Sequence, residues 1–293
     1  MLIPTDQLTK PDFASILLVG APKTWKTGSL GSLHKYLRLH KMSTKIVFFD
    51  MDEDGAEPLL RLAREGRELY TDKPGTCEKW INDIELYRYT KQKLVLGPDT
   101  KVAPNRSKKM AEDFLNEFNQ LDERLDYRTK QWKPGQEIGC IAVDSLTAIQ
   151  DMYEDFIWLT RGKEIGEPKG TTMIDPGDWR LLGEKVTDVY MTTKQFPCFS
   201  FFTAHVDARQ EEVRALKLGE EPIKTNVWFK VPLLTKSVAM RLAKDFSIAL
   251  YTTPDFKWIT RPTPSDHVHS AGTRGRDNLP PLVEQDFANV LDI

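Results

Sequence analysis

Cysteine is scarce in this chain. There are three in 293 residues, Cys77, Cys140 and Cys198, widely spaced and without a CxxC pair. That excludes a disulfide framework and fits a reducing compartment. A surplus of positive charge is missing too: 41 Lys and Arg face 43 Asp and Glu, for a formal charge of −2. A nucleic-acid role would therefore need a local basic patch. Long apolar runs are also absent. The longest, such as Ile16 to Val19 and Phe199 to Ala204, are strand-sized, whereas a membrane helix takes about 20 apolar residues. The opening MLIPTDQLTKPDF has no apolar stretch suited to a signal peptide. These absences make a soluble, cytoplasmic protein with no membrane partner the expectation. With 40% hydrophobic and 29% charged residues, the chain has enough apolar material for a core and too much for a disordered polymer.

What is present is an alternation of apolar runs and amphipathic stretches. Ser15 to Val19, Lys45 to Phe49, Gly139 to Val143 and Cys198 to Thr203 read as fully buried strands. Thr27 to His40, Pro58 to Arg67, Leu146 to Leu159 and Trp179 to Thr192 read as helices. Continuous apolar strands alternating with helices predict an α/β fold, a mainly parallel sheet with helices on both faces. Polar residues 92–136 interrupt it, with a helix expected over Lys109 to Lys130. They read as an insertion on the core, too short to form a good core alone. Arg161 to Gly177, with four glycines and two prolines, reads as a mobile loop. From about residue 207 a β-hairpin follows, Glu211 to Leu218 and Ile223 to Val231. A helix over Thr235 to Lys244, strands over Phe246 to Tyr251 and Phe256 to Arg261, and an amphipathic tail helix over Leu282 to Leu291 complete the chain. Without repeats or low-complexity segments, residues 1–293 read as one domain with embellishments.

The chemistry is concentrated at strand ends. Gly20, Ala21, Pro22, Lys23, Thr24, Trp25, Lys26, Thr27 and Gly28 follow the first strand and open the first helix. That is the context of a P-loop (Walker A), GxxxxGK[ST], whose backbone amides surround phosphate oxygens. Lys26 would reach the β- and γ-phosphates, and the Thr27 hydroxyl would ligate Mg²⁺. Trp25 stands where the pattern has glycine, so the strict motif fails. The indole either points outward and leaves the amide cradle intact or distorts it. The competing account is a plain strand–turn–helix with a solvated lysine.

Asp144 ends the Ile141-Ala-Val run and fits a Mg²⁺-side carboxylate, or else the N-cap of the helix from Leu146. Asp52 and Glu53 end the second strand, and either fits a base that orients and deprotonates water. A charged surface turn is the plainer account. His205 closes the fourth strand as a sensor of the γ-phosphate or as a structural histidine. His267 and His269 have no acid or cysteine cluster with metal spacing beside them.

The runs ILLVGAPKTWKT, VFFDMDED, CIAVDSLTAI and FSFFTAHVD together resemble the RecA-type ATPase core. The closest likeness is to short phage-encoded RecA-like ATPases of recombination and annealing. Asp175-Pro-Gly-Asp-Trp179, Val231 to Lys236, Phe246 to Leu250 and Thr273 to Pro280 extend it over most of the chain outside residues 92–136. The resemblance implies ATP with Mg²⁺, an ATPase of the AAA and RecA-like kind, and a role in phage DNA recombination, annealing or repair in the host cytoplasm. It also implies a homo-oligomer acting on single-stranded DNA, with a single-strand-binding or replication protein as a candidate partner. By position it places Asp52 as the acidic base, Asp144 on the metal side, His205 as the polar sensor, and Arg274 and Arg276 near the nucleotide. The departures are Trp25 for glycine and Asp52 where the family usually has Glu. Both bear on hydrolysis.

The DNA expectation has some support from residues alone. Arg209, Arg214, Lys217, Lys224, Lys230, Lys236, Arg241 and Lys244 make the stretch after His205 locally basic, and Trp228 and Phe229 offer stacking surfaces. Glu211, Glu212, Glu220 and Glu221 interrupt that charge. Two other functions fit the sequence. One is a nucleotide-binding adaptor or loader with little hydrolysis, motivated by Trp25. The other is a small-molecule P-loop kinase, which would want a lid with arginines; residues 161–177 offer only Arg161.

Overall fold

The computed structural model describes residues 13–52, 55–89, 105–160, 176–215, 223–261, 271–273 and 278–292. The first half runs β1 (Ser15–Gly20), a 3-10 turn at Thr27–Ser29, α1 (Leu30–Leu39), β2 (Ile46–Asp50), α2 (Glu57–Glu65), β3 (Ile84–Arg88) and α3 (Asn105–Gln120). A short ribbon of β4 (Leu125–Asp126) and β5 (Gln131–Trp132) leads to β6 (Cys140–Asp144), α4 (Leu146–Thr160) and α5 (Pro176–Thr193). Then come β7 (Phe199–Ala215), β8 (Ile223–Pro232), α6 (Lys236–Asp245), β9 (Ile248–Thr252), β10 (Lys257–Ile259), β11 (Gly272–Thr273), β12 (Leu282–Glu284) and α7 (Ala288–Leu291).

The main sheet has the order β12-β10-β9-β1-β7-β6-β2-β3. From β9 to β3 every neighbouring pair is parallel. β10, β11 and β12 add antiparallel pairings at the β9 edge. The fold is thus α/β, with a large, mainly parallel mixed sheet. Burial on both faces explains the unbroken apolar strands. Ile16 and Leu18 of β1 pack with Leu30, Leu33 and Leu37 of α1 and with α2, while Leu17 and Val19 face the core shared with α3, α4, α5 and α6. β2 divides likewise, Ile46 and Phe48 against Val47 and Phe49. Each such side chain contributes about 1.5–3 kcal/mol when fully buried. α2 ends at Gly66, whose φ of 63° lies in the left-handed region that glycine adopts without strain.

Several sequence expectations are corrected. The helix predicted over Lys109 to Lys130 stops at Gln120, and the chain after it forms the β4–β5 ribbon. Its apolar face still packs onto the sheet, with Phe114 and Phe118 against Phe49. The fourth strand does not stop at Thr203 but continues through His205 to Ala215, pairing with β8 from Val206↔Pro232 to Ala215↔Ile223. The tail is not one helix: Leu282–Glu284 is a strand, because Val283 pairs with Trp258, and only Ala288–Leu291 is helical. β3 went unpredicted; it is a half-buried edge strand whose polar residues hide the apolar signal. Of the predicted loop at Arg161 to Gly177, residues 161–175 lie outside those described, and Pro176 already begins α5. Among the described residues, no helix is long and apolar enough to cross a membrane.

A buried polar cluster ties α1 to the chain before β3. His34 places Nδ1 at 2.8 Å from Glu68 Oε1 and Nε2 at 3.0 Å from Asp83 Oδ2, with the Trp80 ring stacked on it at 4.1 Å. Arg38 donates to both Glu68 oxygens, at 3.0 and 2.6 Å. Burial pushes the Glu68 carboxyl up, but the hydrogen bonds from His34 and Arg38 outweigh it and bring it down to about 2 from an ordinary 4.5. A carboxyl lowered on folding stabilises the native state above its ordinary value, and that stability is lost as pH falls from about 4.5 towards about 2. Glu68→Gln is therefore expected to cost about 2–3 kcal/mol at neutral pH and much less near pH 3. Urea unfolding at both pH values measures the difference.

Candidate functional site

The parallel register brings Gly20, His205 and Asp144, three of the predicted residues, to one edge of the sheet. Gly20 lies level with His205, and Asp50 with Asp144. β7 lies between β1 and β6, so it delivers Thr203 and His205 between the Lys26 loop and Asp144.

The loop after β1 is anchored from two sides. Thr24 Oγ1 lies 2.6 Å from Thr252 Oγ1 of β9 and donates to the Ala21 carbonyl at 2.8 Å. Gln285, just after β12, donates Nε2 to the Thr24 carbonyl at 3.2 Å. At Gly20 a Cβ would overlap the Thr252 hydroxyl, which explains glycine there. Lys23 and Trp25 hold φ values of 64° and 65°, and Lys26 returns to −53°. Among the described residues, the amides of Lys23, Trp25 and Lys26 donate no backbone hydrogen bond. Alternating left- and right-handed residues with free amides form the kind of concavity that binds anions.

Trp25 thus adopts the left-handed conformation that glycine takes most readily, at a cost of about 1–2 kcal/mol. Its indole packs on Gly28 and meets the Tyr70 ring edge-on at 4.9 Å, and Tyr70 in turn meets Phe256 at 4.9 Å. It is the Lys26 ammonium that lies under the loop, donating to the carbonyls of Gly20 at 3.1 Å and Ala21 at 2.9 Å. Lys26 is buried, not a solvated helix residue. Burial lowers its pKa, while Asp144 and Asp52 act in the opposite direction. Because a Cβ on Gly28 would overlap the indole, Gly28→Ala is expected to destabilise the protein by about 1–3 kcal/mol. In a Trp25→Ala background that cost should largely vanish, so a double-mutant cycle by chemical denaturation reads out the contact.

Asp144 is buried, and its carboxylate accepts from two hydroxyls, Thr27 on Oδ2 and Thr203 on Oδ1. It does not cap α4. That cap is Ser145, whose Oγ accepts from the Ala148 amide at 3.2 Å. Burial raises the Asp144 pKa and Asp52 adds to the rise, while the two threonines and Lys26 counter it. The Asp144 carbonyl accepts from the amides of Met51 at 2.6 Å and Asp52 at 3.1 Å, which pins the end of β2 beside β6.

Asp52 is not a freely solvated turn residue. Its Oδ2 lies 3.1 Å from His205 Nε2. Burial pushes its carboxyl up, but the His205 and Ser145 hydrogen bonds and the Lys26 charge win, holding it below the ordinary value. His205 is set in place by its amide, which donates to Thr147 Oγ1 at 3.0 Å. Of the remaining predicted residues, Glu53, Arg274 and Arg276 lie outside those described, as do His267 and His269.

The sequence reading missed Asp50, Thr203, Thr252 and Gln285. Asp50 is fully buried, bonded to the Ala56 amide and Arg88, both at 3.2 Å. Burial and the Asp144 charge push it up to about 7. Thr203 had a legible signal, a hydroxyl inside an apolar strand. Thr252 and Gln285 had none, since their role depends on β9 and β12 lying beside the loop.

Thr27 Oγ1 and Asp144 Oδ2 are hard oxygen donors side by side, which fits a Mg²⁺ ion completed by phosphate and water. Among the described residues, no group of three or more His, Cys, Asp and Glu could hold a metal by itself. No protein-family model matches the chain, and no curated protein matches it either.

Proposed function

We propose that the chain binds ATP with Mg²⁺ on the Gly20–Thr27 loop and hydrolyses it as a RecA-like P-loop ATPase in phage DNA recombination, annealing or repair. One observation carries the reading: the Thr27 hydroxyl, next to the buried Lys26, is bonded to the carboxylate that ends β6. A plain strand–turn–helix gives no reason for that pairing. Thr27 and Asp144 would hold the cation, and bound with the triphosphate it neutralises the β- and γ-oxygens. Lys26 exchanges its two carbonyl partners for phosphate oxygens. Asp52, held ionised, accepts the proton of the attacking water, and His205 reports occupancy by releasing or keeping Asp52.

The DNA half of the reading rests on the resemblance and on connectivity. β7 runs unbroken from His205 into the ribbon it forms with β8, so the site and the basic stretch share one strand. Single-stranded DNA is the proposed polymer and a homo-oligomer the proposed assembly. Filter binding at low and moderate salt, with phosphate release measured with and without DNA, tests it. Retention on DNA that weakens with salt is expected, and no retention at either salt removes the DNA half.

The specific pairing of Asp52 with His205, together with a tryptophan at position 25 of the loop, favours a second reading. There the chain binds ATP but turns it over little, acting as an adaptor or loader for a replication or recombination partner. ATP binding without phosphate release is its signature.

A further inference from the structure

The nucleotide reading accounts for Thr27, but it leaves Thr203 unexplained. Thr203 is fully buried within β7, between Phe202 and Ala204 and level with Leu18 of β1. A hydroxyl in such a place costs free energy unless it is bonded, and valine would fill the same shape in an apolar sheet. Its partner is Asp144 Oδ1, on the side of the carboxylate opposite Thr27. A carboxylate held through one oxygen turns readily about its last torsion, which has broad minima. Held at both oxygens from two different segments, it has one orientation. β7 is the strand next to β6 on the side of β1, so its residue at this level is the one placed to supply the second hydroxyl.

We propose that Thr203 is a positioning residue that fixes the rotation of the Asp144 carboxylate, presenting Oδ2 to Thr27 and to the divalent cation of a metal–nucleotide complex. The inference rests on the nucleotide-binding reading above and deepens it. Mg²⁺ demands near-ideal octahedral geometry and tolerates a rotated ligand poorly. Loss of the Thr203 hydroxyl therefore weakens the metal-dependent part of binding and leaves the loop's own grip on phosphate.

The test titrates Mg²⁺ against a fluorescent ATP analogue, with a second arm in excess EDTA, for the wild type, Thr203→Val, Thr203→Ala and Thr203→Ser. Val keeps the shape, and Ala remains informative if Val packs badly. The Val and Ala variants are expected to need about tenfold more Mg²⁺ for half-saturation, as removal of groups that orient metal ligands usually does. Their metal-free affinity should stay within about twofold, and Ser should restore wild-type behaviour. Val and Ala variants that titrate like the wild type overturn the proposal, and so does an equal loss with and without metal. A wild-type chain that binds no nucleotide in either arm overturns the nucleotide reading itself, and that result is distinct from the other two.

Discussion

Lys26→Ala is expected to lower the affinity for Mg²⁺–ATP at least about a hundredfold, the effect of losing a charge-assisted contact to phosphate from a buried site. The ammonium lies under the loop on the carbonyls of Gly20 and Ala21, so its removal also frees two carbonyls that it bridges. Burial lowers the lysine pKa, so the protein already holds the cation at some cost, and a bound anion relieves it. Calorimetric titration of the wild type and the variant gives the ratio, with thermal unfolding of both as the control for folding. Equal affinities would remove Lys26 from the binding site and with it the proposed phosphate loop.

Asp52→Asn is expected to lower phosphate release about 10²–10³-fold while leaving ATP affinity within a few-fold, the pattern of a lost general base. The aspartate is held ionised by His205, Ser145 and Lys26 against the pull of burial. Asparagine keeps the shape and the reach to His205 but cannot take a proton from water. Steady-state phosphate release alongside equilibrium ATP binding separates turnover from affinity. If the variant releases phosphate at the wild-type rate, Asp52 is not the base. If the wild type binds ATP and releases none, the pairing of Asp52 with His205 has the character of a permanent brake, and the adaptor reading holds.

Particular residues show how far the sequence could be read. Three strand ends were legible because each of these buried strands is an apolar run that stops at a glycine or an acid, Gly20, Asp50 and Asp144, whereas the end of the fourth was not, since β7 runs on through His205 to Ala215. α3 was legible in its apolar face but not in its length, because Leu121 and Leu125 continue the helical spacing although the chain has left the helix. Trp25 was recognised as a departure, and two outcomes for its indole stayed open. Where the indole packs depends on Gly28, three residues on, together with Tyr70, far along the chain. For Asp144 the sequence favoured the metal side over the cap, and Ser145, the next residue, takes the cap.

By itself the amino-acid order determined the alternation of strands and helices and the placing of reactive groups at strand ends, since both follow from local periodicity and from where apolar runs stop. Tertiary structure alone decided the strand order, and through it the meeting of Thr27 and Thr203 on Asp144, residues 117 and 59 positions apart along the chain. It also decided that β3 joins the sheet and that the tail closes on the loop through Gln285. Such pairings depend on which surfaces bury one another best across the whole chain, and no window of neighbouring residues carries that information.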